Sequence, residues 1–142
     1  MAVLRQDKYT QRTVQKEIFS DFLMDFDLNP DTNDLYRNVN LASIQNSLKA
    51  LMLTNRGERL FQPDVGSSIR EQLFELFETS TVELLKQFIK NTIEVYEPRV
   101  KYEDVVIVPS DGQNGLFITI YFSTIQRPGV VETLTVFLTR VR

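Results

Sequence analysis

The apolar positions of this chain change period twice, from two to that of a helix and back to two, and the expected elements follow that change. Over residues 22–28, Phe22, Met24, Phe26 and Leu28 fall on one side and Leu23, Asp25 and Asp27 on the other, the alternation of a half-buried strand. Residues 29–34 are dense in turn formers, and residues 35–39 return as the second strand of a hairpin. Asn40 stands where a cap belongs, ahead of a helix over residues 41–53 with the stripe Leu41, Ile44, Leu48 and Leu51. A second helical pattern covers residues 68–76, with Ile69, Leu73, Leu76 and Phe77 on one face. The longest begins at a capping box, Ser80 and Glu83, and carries Val82, Leu85, Phe88, Ile89, Ile93 and Tyr96. Pro98 ends it, because the residue before a proline is pushed out of the helical region.

The last third alternates again. Residues 105–109 form a short strand and residues 110–115 a loop. Leu116, Ile118, Ile120 and Phe122 then oppose Phe117, Thr119, Tyr121 and Ser123. Arg127-Pro128-Gly129 reads as a tight turn, and Leu134, Val136 and Leu138 give the inner face of a final strand over residues 131–141. Ahead of all this, Val14 and Ile18 lie one helical turn apart in a short helix over residues 9–20. The sum is an α+β domain: an antiparallel β-meander with helices packed on one face, plus an N-terminal β-hairpin. In such a meander the middle segment lies inside and the last strand keeps one open side.

Composition narrows the chemistry more than the fold. At 142 residues, 42% apolar and 25% charged, the chain has the size and balance of one globular domain. No apolar run approaches membrane-spanning length, and no signal-peptide segment is expected. There is no histidine and no cysteine, which removes Ser-His-Asp, Cys-His and ordinary zinc chemistry together. The net charge of −3 is uneven: Arg5, Lys8, Arg12 and Lys16 against Asp7 give residues 1–16 a local +3, leaving −6 elsewhere. That division suggests an N-terminal arm, residues 1–18, on a single domain, residues 19–142. An acidic body argues against nucleic acid as a partner.

Turn signals, charges and a helix start crowd together over residues 55–75. Gly57 follows the first helical run as a C-terminal glycine does, Leu60-Phe61 offers an apolar anchor, and Pro63 and Gly66 bracket a rigid turn. Ser68 and Glu71 form a capping box for the next helix. Asp25, Asp27 and Asn29 have the alternate spacing of a calcium loop, but Pro30 and Tyr36 occupy the places of its glycine and its bidentate glutamate, so a polar hairpin tip explains them better. Glu58, Glu75, Glu94, Glu97 and Glu103 supply carboxylates without a recognisable acid–base pair. Glu97-Pro98-Arg99 holds a carboxylate and a guanidinium at the corner where the long helix gives way to a strand. On residues alone it reads equally as a surface ion pair, worth about 0–1 kcal/mol, or as a contact for a partner.

Gly57-Glu58-Arg59, Pro63, Gly66, the helix ending Leu73-Phe74-Glu75 and then Glu97-Pro98-Arg99 occur in this order in one family. From residue 19 onward the chain resembles the small baseplate wedge protein of contractile-tailed phages, a sheath initiator often labelled lysozyme-like, which has a counterpart in the type VI secretion baseplate. The resemblance implies a structural, non-enzymatic role in the virion tail baseplate after synthesis in the host cytoplasm. It implies docking of Glu97, Pro98 and Arg99 on the helical core bundle of other wedge proteins, with Glu58 and Arg59 as second candidates. It further implies that the open strand, at Thr133, Thr135, Val136 and Phe137, templates the first ring of the tail sheath protein by β-augmentation. The tube or hub is a further partner; nucleic acid and membrane are not. No catalytic residue, cofactor or metal is expected, and the rival reading is a peptidoglycan-cleaving tail enzyme. A generic adaptor domain is the third.

Overall fold

The computed structural model of the chain describes residues 16–23, 25–73, 78–110 and 115–139. The expected hairpin is present but broken in two. β1 (Ser20–Phe22) pairs antiparallel with β4 (Arg37–Val39), and β2 (Leu28–Asn29) with β3 (Asp34–Leu35). Between β1 and β2 the Phe26 amide turns back to the Leu23 carbonyl at 3.2 Å, and Phe26 takes a left-handed φ of 52°. Residues 22–28 are therefore not one strand. Their alternation does not bury its apolar side either: Phe22 and Leu28 are exposed, and Phe26 is 65% exposed. Period-two spacing thus marked neither one continuous strand nor a buried face: of its described residues only the two ends, Phe22 and Leu28, are in strands. The acidic tip is a turn, in which the Asp31 amide donates to Asn29 Oδ1 at 2.9 Å.

The N-terminal helix expected over residues 9–20 falls outside the described residues up to residue 15; residues 16–19 are not helical, and Ser20 belongs to β1. Asn40 does not cap with its side chain. Its φ is 50°, its Oδ1 accepts the amides of Ile18 and Phe19 at 3.0 and 3.4 Å, and its Nδ2 donates to the Lys16 carbonyl at 3.2 Å. The residue fastens the incoming chain to the start of α1 (Leu41–Leu53), whose Ile44, Leu48, Leu51 and Met52 are buried.

Helix α1 ends at Thr54, which is extended, so Gly57 is not its terminal glycine. Gly57 (φ 85°) sits inside a loop, its N–H donating to the Pro63 carbonyl at 2.8 Å. Leu60 and Phe61, expected as an anchor, are 91% and 95% exposed. The loop is closed instead at its stem: the Ser67 amide donates to the Thr54 carbonyl at 2.8 Å and its Oγ to the Met52 carbonyl at 2.9 Å. Gly66 passes so close to that stem that a Cβ would meet the Thr54 oxygen at 2.7 Å. Then come α2 (Ile69–Gln72) and α3 (Thr79–Tyr96). Neither capping box forms: Ser68 precedes α2 without a side-chain cap bond, and α3 starts after Glu78, ahead of Ser80. Leu76 and Phe77 lie outside the described residues.

Three antiparallel strands complete the domain in the order β5 (Val100–Pro109), β6 (Gly115–Thr124), β7 (Arg127–Thr139). β5 starts earlier than its alternation suggests, because the register shifts between Tyr102 and Asp104. One extra residue flips the side-chain parity and hides the first half of the strand from a period-two reading. The β6–β7 turn is at Ile125 and Gln126, not at Arg127-Pro128-Gly129. Arg127 already pairs with Thr124, and Val131 pairs with Ser123, so proline and glycine mark a bulge inside β7. Helices α1 and α3 pack on one face of this sheet. Ile44, Leu48, Leu85, Ile89 and Ile93 meet Val105, Ile118, Ile120, Phe122, Val136 and Leu138 there, which is the α+β arrangement expected.

Gly66 gives the sharpest test of this loop. Its φ of 136° is foreign to other residues and its Cβ position is occupied by backbone. Gly66→Ala is expected to lower stability by at least about 2 kcal/mol, read as an earlier denaturant midpoint at unchanged slope. Gly57→Ala, with open space around the new methyl, should cost less.

Candidate partner-binding site

The corner after α3 is built around a carboxylate withdrawn from water. Pro98 stops the helix at Tyr96 and leaves Glu97 with φ −128° and ψ 75°, its N–H on the Ile93 carbonyl at 2.9 Å. That geometry turns the Glu97 side chain inward, where it is only 2% exposed. Arg99 follows it with both prongs: Nε meets Oε1 at 2.5 Å and a terminal nitrogen meets Oε2 at 2.7 Å. The guanidinium carbon also lies 5.2 Å from the centre of the Phe19 ring, and the Arg99 carbonyl accepts the Ile125 amide at 3.2 Å.

Burial by itself would raise the Glu97 pKa, but hydrogen bonds from Arg99 and the Ser47 hydroxyl of α1 outweigh it and hold the group below the ordinary carboxylate range. Arg99 is raised in turn, first by its bonds to Glu97. The expected surface pair is thus a buried, two-pronged one joining the hairpin, α1, α3 and the β6–β7 turn. Only Pro98 and the 28% exposed side chain of Arg99 show at the surface.

Glu58 and Arg59 part company. Glu58 closes its own loop: its carboxylate accepts the Asn55 amide and side-chain Nδ2, both at 2.8 Å. The Asn55 backbone bond is the main reason its pKa lies below the ordinary range. Arg59 is exposed, forms no ion pair among the described residues, and lines a groove of about 750 Å³. Across this groove stand Asp21, Phe22 and Phe26 of the hairpin, with Val95 and Tyr96 at the end of α3. Tyr96 fixes the loop to that end through its hydroxyl, which donates to the Asp64 carbonyl at 2.6 Å. Sequence reading missed this groove because it placed Phe22 and Phe26 on the buried side of a strand, whereas both are exposed.

The third candidate region is β7, an outer strand of the sheet. Gly115 lies so close to the Leu138 carbonyl oxygen that a Cβ would meet it at 2.5 Å, so Leu138 directs its backbone groups at β6. Direction alternates along a strand, which sends Val136 and Leu134 inward with it and Thr133, Thr135 and Phe137 outward. Gln45 of α1 fits this parity, reaching the Thr133 carbonyl at 3.4 Å. Val136 is a buried ladder residue and not part of the open row. Phe137 rests on Phe117 of the uncovered sheet face, ring centres 4.7 Å apart, and the hydroxyls of Thr119 and Thr135 are bonded at 3.2 Å.

Of the carboxylates weighed as acid and base, Glu58, Glu97 and Glu103 are bonded within the domain. Glu94 faces Lys90 at 4.0 Å, and Glu103 accepts the Ser123 hydroxyl at 2.9 Å. Glu75 lies outside the described residues. Glu58 and Glu97 are displaced downward, away from what a general acid requires. Among the described residues no three acidic side chains cluster as a metal site would need.

Comparison with known proteins follows the same lines. The family model described as baseplate wedge protein gp25 matches residues 39–128. The baseplate wedge protein gp25 of Enterobacteria phage T4 is 32% identical over 119 residues, 83% of this chain and 89% of that protein. A protein from Geobacter sulfurreducens, named as a candidate tail lysozyme, is 25% identical with a TM-score of 0.62, over 70% of this chain and 89% of its own. Chains in the baseplates of the anti-feeding prophage and of the type VI secretion system share the fold at 18% identity, with TM-scores of 0.61 and 0.59. The first covers 87% of both chains, the second 70% of this chain and 93% of its own.

The Glu97–Arg99 pair yields a prediction with a pH signature. Removing one partner of a buried pair strands the other charge, so Arg99→Ala should cost about 3 kcal/mol. A carboxyl held low in the folded state adds stability above its unfolded pKa and loses it as pH falls through the folded value. The difference in unfolding midpoint between wild type and Arg99→Ala is therefore expected to narrow on acidification, as Glu97 becomes neutral in both.

Proposed function

The chain belongs to the baseplate wedge protein gp25 family, and from that premise we propose that it docks on a helical bundle of wedge proteins and starts the tail sheath by strand addition on β7. As a family member it is a structural component of the baseplate wedge. The observation that carries the finer reading is the outward row of backbone groups at Thr133, Thr135 and Phe137. Such a row can take up an extended segment of another chain once the Gln45 side chain gives up the Thr133 carbonyl.

Docking rests on the surface beside the corner. Glu97 is buried, so its role is to position Arg99, whose exposed part and neighbouring Pro98 face outward. Arg59, across the groove from Phe22 and Phe26, supplies an uncommitted guanidinium to a helix carrying acidic and apolar side chains. The tail sheath protein is the partner proposed for β7, with the tube or hub nearby. The assembled virion tail is the proposed site of action, after synthesis in the host cytoplasm.

An assembly reaction watched by electron microscopy separates these contacts. Arg59→Ala should stay within about 0.5 kcal/mol of wild type and enter wedges poorly. Thr135→Pro loses an outward donor and the exposed hydroxyl bond to Thr119 but no ladder bond, so it should fold, join wedges and fail to start a sheath ring. Val136→Pro removes a ladder bond to β6 and should destabilise the domain by about 3 kcal/mol or more. Normal sheaths from folded Thr135→Pro protein would exclude β7 as the template.

Peptidoglycan cleavage has one observation behind it, the similarity to the Geobacter protein. The structural use of Glu58, Glu97 and Glu103 weighs against it. Purified protein is expected to leave the turbidity of permeabilised cells unchanged. Clearing that a single Glu→Gln substitution abolishes would favour the enzyme.

A further inference from the structure

We infer that the β5 edge is closed against strand addition, and that Asp104, Pro109 and the bulge at Glu103 are specificity-determining features confining an added strand to β7. The inference rests on the strand-addition reading for its purpose, while the closure stands on backbone geometry. The Ser110 amide donates to the Gly115 carbonyl at 2.9 Å, so Ser110 faces β6. Counting back in twos, Val108 and Val106 face β6, and Pro109, Ile107 and Val105 face away from it. Beyond the bulge the Ile125 amide reaches the Arg99 carbonyl, which places Arg99 toward β6 and Val100 and Tyr102 outward.

That outward row is largely spent. Pro109 has no N–H. The Val105 N–H donates to Oδ1 of its own neighbour Asp104 at 2.7 Å. The Val100 N–H donates to the Glu97 carbonyl at 3.2 Å. The amides left are those of Tyr102 and Ile107, and the bulge lies between them. Glu103 holds that bulge in place, its Oε1 accepting the Ser123 hydroxyl at 2.9 Å and facing Lys101 Nζ at 3.6 Å. An added strand needs outward donors and acceptors at every second residue, in step. β7 presents outward N–H groups in succession at Thr133, Thr135 and Phe137, with only the Thr133 carbonyl taken, by Gln45, whereas β5 has no two adjacent outward N–H groups left. A sheet with two open edges would let subunits pair with one another and grow without closure.

The test uses the isolated full chain, so it needs no sheath protein. Wild type is expected to sediment as a monomer across a concentration series, and Asp104→Ala with Pro109→Thr to self-associate. In Asp104→Ala the Val105 amide should exchange about tenfold faster, the loss expected for one hydrogen bond. Asp104→Asn keeps the acceptor and should behave as wild type in both measurements. If the double variant folds poorly, Pro109→Thr alone carries the association arm. A variant that stays monomeric, or wild type that associates with Ile107 protected from exchange, overturns the inference. Neither result bears on the sheath-initiation reading, which stands or falls with folded Thr135→Pro in the assembly reaction.

Discussion

A carboxylate taken out of water at the end of α3 sets the terms for its surroundings. Glu97 is tolerable inside only because Arg99 meets it two-pronged and Ser47 adds a further bond. The pair constrains more than itself. Pro98 must lie between its members, so the helix must stop where it does and β5 must leave at a fixed angle. Arg99 must then sit where its side chain covers Phe19 and its carbonyl meets the β6–β7 turn at Ile125. One ion pair thereby joins the hairpin, two helices and the sheet. Its retention in place of apolar residues fits a role in fixing geometry more than in adding stability.

From that corner the two proposed partner surfaces diverge. The groove beside Tyr96 mixes apolar side chains such as Phe22, Phe26 and Val95 with polar ones such as Asp21 and Gln62, has Arg59 as its uncommitted cation, and lies between the hairpin and the loop closed by Gly66. The β7 edge is backbone, offering hydrogen bonds in register with little side-chain chemistry. The proposed reading uses this division, docking through the groove and strand addition on β7. Asymmetry between the two sheet edges gives strand addition a direction that side chains alone would not provide.

The helices and the sheet were legible in the sequence because burial on one face writes a period into it. Ile44, Leu48, Leu85, Ile89 and Ile93 are core where the period places them, as are Ile118, Ile120 and Phe122. Errors arose where a local signal had two uses. Asn40 has a cap residue's chemistry but spends it on Ile18 and Phe19, and Pro128-Gly129 serves a bulge rather than a turn. Residues 22–28 alternate without a layer to cover them. At the candidate site the sequence placed Glu97 and Arg99 correctly at an element boundary but could not show that the carboxylate faces inward. That depends on Ser47 and Phe19, which are remote in the chain. Nor could it show backbone parity in β7, which decides that Thr135 and not Val136 faces outward.

The central claim is that β7 is the acceptor edge of a wedge subunit. A reconstruction of the assembled baseplate carrying its first sheath ring tests it most directly. The account predicts an extended sheath segment beside β7, hydrogen-bonded to Thr133, Thr135 and Phe137, with β5 unpaired. A sheath segment seated on β5, or a first ring held in place with the β7 edge in solvent, would contradict it.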